Sequence, residues 1–466
     1  MKNITKILGA TLICSALCSG CGLYTKYQRP EVIDGAESSA TAAKLYDTSV
    51  AQSVKGGESI ATMGWRELFT DGNLQQLIEL GVKNNTDLNV ARLNVEQANV
   101  ALRTARLAYL PSLSLDGNGR VYNYREATYK TYEIAATASW QIDIFGKVRN
   151  EKEQSRAAAE QTVAYRQAIE TELIASVANS YYTLLMLDEQ LDISRRTAKN
   201  WDDNLRVMEA LKRAGRVNET AVLQTASSRT ALSRSIVSIE AQIEQMELSL
   251  STTLGVAPQQ IKRGEFVAPA LPQKVSIGLP LELLNNRPDV RAAEYNLSKM
   301  FYATAVARSS MYPTIVLSGG AGFTNSSGAI MNPGDMLYEV LGSLTQPLFN
   351  RGALKGQLEI SKSQQEQALL EFKQALLDAG NEVNQALVEL NSSKEQLKYD
   401  KEQMAILERA VRGTELLMRN GSANYLEVLT AQISLLQSEL NATSNKFGEV
   451  QSVINLYKSL GGGASK

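Results

Sequence analysis

The chain is written twice, and this duplication restricts its fold more than any other feature. Asn84-Asn85 returns as Asn285-Asn286 (285 − 84 = 201). "YLPSLSLDGNG" from Tyr109 matches "MYPTIVLSGGAG" from Met311, and "QIDIFGKVRNEKEQS" matches "TQPLFNRGALKGQLEIS". "GRVNETAVL" at Gly215 matches "GSANYLEVL" at Gly421 (421 − 215 = 206). Both halves close on Leu-Gly, at Leu254-Gly255 and Leu460-Gly461. Landmarks recurring in the same order mean a tandem structural repeat.

Each half reads helix, strand, strand, helix, helix. The spacing predicts a first helix over 74–109, with its counterpart over 281–311. Pro111 and Pro313 end these helices and begin strands, where proline costs least. Strands are expected at 112–124, 131–145, 314–324 and 337–349. Long proline-free tracts follow, 147–214 and 352–420, rich in Ala, Gln and Glu. In the first, Ile169, Leu173, Val177, Leu184, Leu187 and Leu191 form a heptad-like seam for shallow-angle helix packing. Gly215 and Gly421 mark reversals, as glycines just past a helix end do. Helices then return to Leu254 and Leu460. A helix near 67 residues long spans about 100 Å, and the two shorter helices of a half match one long one end to end. The expected divisions are a signal segment 1–20, an irregular segment 21–73 on the outside of the helices, a first repeat 74–255, a connector 256–280, a second repeat 281–461 and a tail 462–466.

The strands identify the solvent. In "YEIAATASWQIDIFG", Tyr132, Ile134, Ala136, Ala138, Trp140, Ile142 and Ile144 alternate with Glu133, Thr137, Ser139, Gln141 and Asp143. Leu113 and Leu115 alternate in the same way with Ser112, Ser114 and Asp116. Apolar on one face and wet on the other is the pattern of a transmembrane β-barrel. Tyr132, Ile134, Trp140, Ile142, Leu113 and Leu115 are the expected lipid-facing residues. Tyr122, Tyr124, Tyr129, Tyr132, Trp140, Phe145, Tyr312, Phe323, Tyr338 and Phe349 gather around the strands although aromatics are only 6% of the chain, as an interfacial girdle does.

Four strands cannot close a barrel, and open edges are forbidden in lipid because each unpaired backbone group there costs several kcal/mol. The chain must therefore pool strands with other copies. Two copies give eight strands, whose interior side chains fill; three give twelve, which leaves a water-filled lumen. The competing reading is a pair of soluble hairpins capping a periplasmic coiled-coil scaffold.

Composition removes other classes. There is no histidine, and Cys14, Cys18 and Cys21 all lie in the first stretch. No general-base histidine, redox pair or thiolate metal site remains, so no enzyme, cofactor or metal is expected. The net charge of −1 argues against a nucleic-acid partner. Lys2 and Lys6 precede an apolar run, Ile7 to Leu17, too short to span a bilayer as a mature helix. The run leads to Ser19-Gly20-Cys21, similar to a bacterial lipobox that would make Cys21 the acylated first residue. Cys18 stands where leucine is usual.

With these features the chain resembles the TolC/OprM-type outer-membrane efflux family, in its lipoprotein branch. The resemblance rests on "CGLYTKYQRPEV" (Cys21–Val32), "WRELFTDGNLQQLIELGVKNNTDLNVA" (Trp65–Ala91), "LPLELLNNRPDVRAAE" (Leu279–Glu294) and the turn into "EVL" at Gly421–Leu429. It implies a mostly α fold with a small transmembrane β part: a homotrimer whose 12-stranded barrel continues into a long periplasmic α-helical barrel. It further implies an outer-membrane exit duct of a Gram-negative bacterium, lipid-anchored, with most of the chain in the periplasm. The implied partners are a periplasmic adaptor and an inner-membrane pump, commonly of the resistance–nodulation–division class. A duct of the same fold for type I protein secretion is the nearest alternative. By the same resemblance Glu427 matches an acidic position of the periplasmic gate, whereas Thr430 stands where some members have Asp. Gly215, Arg216, Gly421 and Ser422 fall where adaptor hairpins dock, and Arg216 and Ser422 depart from the apolar residue often found there.

Overall fold

The computed structural model describes residues 25–30, 63–124, 127–267, 287–325, 335–420, 422 and 424–462. The signal segment, Cys21, Gly421 and the greater part of the connector lie outside them. The described elements are α1 (Trp65–Leu68), α2 (Gly72–Asn84), α3 (Thr86–Leu107), β1 (Ser112–Tyr124), β2 (Ala127–Ile142), α4 (Lys147–Arg213) and α5 (Glu219–Thr253). The second half gives α6 (Pro288–Ser309), β3 (Thr314–Asn325), β4 (Asp335–Thr345), α7 (Ala353–Arg419) and α8 (Tyr425–Ser459). The long helices α4 and α7 have 67 residues each, and the return helices α5 and α8 have 35 each.

The duplication extends to the way helices start and stop. Asn218 caps α5 by accepting from Ala221 N–H at 3.0 Å, and Asn424 caps α8 by accepting from Glu427 N–H at 3.2 Å. After α4, Arg216 N–H donates to Leu211 C=O and Gly215 N–H to Lys212 C=O, a Schellman motif. The same pair of bonds closes α5 at Gly255 and Val256, and α8 at Gly461 and Gly462. Gly215 has φ +71°, a conformation that a Cβ would strain. Gly255 is fixed twice over: φ is +69°, and an added Cβ would lie 2.6 Å from Asn84 C=O.

The first helix of the sequence reading is two helices. Asn85 has ψ 129°, which breaks the helix between α2 and α3. Its side chain then serves both flanks, donating to Thr253 C=O at 2.9 Å and accepting from Leu88 N–H at 2.9 Å. Two strands end earlier than the alternation suggested. Asp143 accepts from Val148 and Arg149 N–H at 3.1 and 2.8 Å, so it caps α4 instead of extending β2. β4 stops at Thr345, two residues before Pro347, which has no ladder donor.

The chain forms two compact units. One takes in Leu93–Ala164 and Ala292–Gln374, together with the segment 25–30. It carries the sheet and the adjoining helical segments. Arg29 of that segment pairs with Glu294 at 2.8 Å and lies over the Phe372 ring, and Tyr27 N–H donates to the Tyr302 hydroxyl. Its buried residues include the small Ala157, Ala159, Ala164, Ala307 and Ala368.

The other unit takes in Tyr165–Arg291, Ala375–Lys466 and the stretch to Arg92. Its core gathers the seam residues Leu173, Val177 and Leu184 with Leu74, Ile78, Tyr181, Leu254, Val383, Val450 and Tyr457. The Tyr181 hydroxyl donates to Asp71 and accepts from Gly264 N–H, fastening the connector to α4. Arg263 adds a fork to Asp188 and a bond to Glu247, one acceptor on α4 and one on α5. Arg287 is 6% exposed and donates to Ser459 C=O at 2.9 Å while pairing with Asp289 and Glu382.

Candidate functional site

The four strands form one antiparallel sheet in the order β1-β2-β3-β4. Register settles which side chains share a face. Leu115 pairs with Ala136 and Ala136 with Ala321; Gly117 pairs with Ile134 and Ile134 with Phe323; Ala321 in turn pairs with Tyr338. Leu113, Leu115, Tyr132, Ile134, Trp140 and Ile142 therefore all lie on one face, together with Leu317, Phe323, Met336, Tyr338, Val340 and Leu344. This face is bare: Leu113 is 81% exposed, Val340 82% and Tyr338 79%. Large apolar residues left this open in rows across four strands need a nonaqueous neighbour.

The opposite face is mostly polar, with Val316, Leu337 and Leu341 as exceptions. One row runs Ser112, Ser139, Ser318 and Leu341, and the next runs Ser114, Thr137, Gly320 and Glu339. Asn118, Glu133 and Thr324 form another. Asp116 accepts from the Ser114 and Thr137 hydroxyls at 3.0 and 2.8 Å, so neighbouring strands share hydrogen bonds through side chains on this wet side. Glycines 320 and 322 keep β3 thin here.

The aromatic cluster divides in a way the sequence reading did not separate. Tyr122 and Tyr129 are register partners on the polar face and stack at 5.1 Å, so they do not belong to a lipid-facing girdle. At the other end of the sheet Phe145 stacks on Tyr312 at 5.1 Å, and Trp140 Nε1–H donates to Tyr109 C=O. Among the described residues β1 and β4 each have one neighbour, so each leaves one backbone edge without a partner strand.

The two helix reversals belong to the second unit and share a core. Met208, Leu211, Val217 and Val222 from the first reversal pack with Met418, Tyr425, Val428 and Leu429 from the second, around Trp201. Gly215 and Arg216 are exposed at the first, where Lys212 pairs with Glu219 at 3.0 Å. Ser422 is exposed at the second, and Gly421 lies outside the described residues. Glu427 is exposed on the first turn of α8, opposite the buried Val428–Leu429 side, where the helix N-terminus favours a negative charge. Thr430 is also exposed, its hydroxyl bonded back to Leu426 C=O. The fold therefore brings the tip residues of the two repeats together, and it holds Glu427 clear of the core that fixes them.

Sequence reasoning missed Arg263, whose ion pairs join distant segments and leave no local pattern. It also missed the burial of Tyr425, although a tyrosine directly after the capping Asn424 and before "LEVL" was a usable signal.

Comparison with known proteins agrees with this geometry. A family model described as outer membrane efflux protein matches residues 77–256 and 279–462, the two repeats. The antibiotic efflux pump outer membrane protein ArpC of Pseudomonas putida is 28% identical over 99% of this chain and 96% of its own length. The cation efflux system protein CusC of Escherichia coli K12 is 26% identical over 97% of this chain and 98% of its own. Among solved structures, the outer-membrane channel OprN superposes with a TM-score of 0.83 at 25% identity, covering 94% of this chain and 99% of that one. The Neisseria gonorrhoeae MtrE outer membrane channel in its open state gives 0.81 at 25% identity, over 94% and 98%.

Proposed function

Because the chain belongs to the outer membrane efflux protein family, we propose that it works as a homotrimeric exit duct, passing small molecules from an inner-membrane pump and a periplasmic adaptor to the exterior. It is an outer-membrane efflux channel; the trimer, the partners and the gate are the inference. The observation that carries it is the sheet: among the described residues, four strands, two edges without a partner strand, and one face of uncovered apolar side chains. In lipid those edges must pair, and a second copy's β4 offers β1 the antiparallel partner it lacks. Three copies give twelve strands with the rows of Ser, Thr, Asp and Glu turned inward, an interior that water wets.

Flow through such a duct is passive, and the work comes from the pump. Acylation of Cys21 would add a second hold on the membrane beside the strands. The reversals at Gly215–Arg216 and Gly421–Ser422 are where the adaptor would dock. Glu427, repeated threefold, would set a ring of negative charge at the periplasmic mouth. The pump is of the resistance–nodulation–division type in this reading, in keeping with the lipoprotein signature.

Single-channel recording on the purified protein, paired with its oligomer mass, tests the proposal. Trimers with discrete conductance steps are expected. A detergent-free soluble monomer with no conductance refutes it.

A further inference from the structure

Close to the helix reversals, α4, α7 and α8 leave an open groove of about 360 Å³, at the small end of the range in which drug-sized molecules bind. Val411 on α7 and Leu435 and Leu436 on α8 give it an apolar wall, backed by Trp201 on α4, which is 4% exposed. Trp201 is itself seated in the core shared with Tyr425 and Val428, so this wall is fixed. The other wall carries the carboxylates of Glu415 on α7 and Glu439 on α8.

These two carboxylates are unequally served. Glu415 accepts from Gln432 Nε2–H at 3.1 Å, and Gln432 accepts from Asn204 at 3.2 Å, a chain that spans all three helices. Glu439 is half-buried, and among the described residues no hydrogen bond or ion pair reaches its carboxylate. Burial pushes its pKa above the usual carboxylate range; Arg196 opposes that shift and Glu408 adds to it. Arg196 lines the same groove, and its Nε pairs with Asp192 at 3.0 Å rather than with Glu439. A half-buried anion with no hydrogen bond or ion pair of its own is costly, and a cation seated beside it offsets that cost.

We propose that this groove is a binding site for an organic amine, its ammonium group between Glu439 and Glu415 and its apolar body against Val411 and Leu436, in front of Trp201. An anion is repelled by the two glutamates, and an inorganic cation leaves the apolar wall unused. The site is lined by one chain and does not rest on the efflux reading. Its occupancy ties α4 to α7 and α8 beside the reversals.

The test uses full-length protein in detergent with Trp65 and Trp140 replaced by Phe, so that Trp201 alone reports, since the chain has three tryptophans. Phenethylamine is titrated against 2-phenylethanol and against KCl at equal ionic strength. A saturable change in Trp201 emission is expected with the amine only, with affinity weakened about tenfold or more by Glu439→Gln. The proposal is overturned if the amine gives no change, if the alcohol or KCl reproduces it, or if Glu439→Gln leaves the titration unaltered. Should the Phe-substituted protein fail to fold, calorimetric titration of the unaltered chain with the same three solutes decides the same question.

Discussion

Ile134→Lys and Glu133→Lys place the same side chain on adjacent residues of β2 that face opposite sides of the sheet. Ile134 lies near the middle of the strand, opposite Gly117 and Phe323, and is 52% exposed. Both flanking strands belong to the same chain, so neither substitution touches a seam between copies. Little protein packing is lost at either site, which leaves the medium as the main difference. A lysine at the bilayer midplane costs about 2–4 kcal/mol, or roughly 30- to 1000-fold in the folding equilibrium per chain. On the wet face beside Asn118 and Thr324 the cost is near zero. The assay is refolding into lipid vesicles, with the folded fraction followed by urea titration. Ile134→Lys should move the midpoint strongly and Glu133→Lys hardly at all. Equal losses, or a larger loss for Glu133→Lys, would refute the assignment of faces.

Three further outcomes follow from the helical unit. Arg287→Ala should lower stability by about 2–3 kcal/mol in thermal melts, since it strips Ser459 C=O of its donor; this is below the loss for a fully buried pair because Asp289 and Glu382 are half-exposed. Burial pushes the Asp289 carboxyl up, but its bonds to Arg287 outweigh this and hold it below the usual carboxylate range. Its contribution is thus complete above that range and lost as pH falls through its own lower value, an acid sensitivity that Arg287→Ala should remove. Asn218→Ala and Asn424→Ala should each cost about 1 kcal/mol and speed hydrogen exchange at the start of the helix concerned, with the other reversal unaffected. Glu427→Gln should alter the block of conductance by divalent cations in planar bilayers, and an unchanged block would remove Glu427 from the gate.

The sheet was legible because period-two alternation survives in register: Leu113, Leu115, Ile134 and Trp140 fall on one face as their spacing requires. Tyr122 and Tyr129 escaped because they were counted by proximity to the strands, whereas strand parity alone puts them with Asp116. The long helices were legible from an uninterrupted seam, but the break at Asn85 was not, since apolar spacing continues across it from Ile78 to Leu88. The Asn-Thr-Asp run at 85–87, rich in capping residues, was the overlooked signal. Arg263 and the Glu439 groove depend on segments remote in sequence, which no local pattern reports.

Within the second unit α4 and α7 each run from one core, at Val177 and Val383, to a second at the reversals, at Met208 and Met418, and that spacing carries a constraint of its own. Dropping one residue between the two cores of either helix would bring them about 1.5 Å closer and swing its reversal by about 100°. Its reversal would then no longer meet the other at Trp201 and Tyr425. Chain length must therefore change in both copies at once, and in steps near seven residues, two turns, that restore the facing side. The pair of helices acts as a gauge, and drift in one copy is policed by the other.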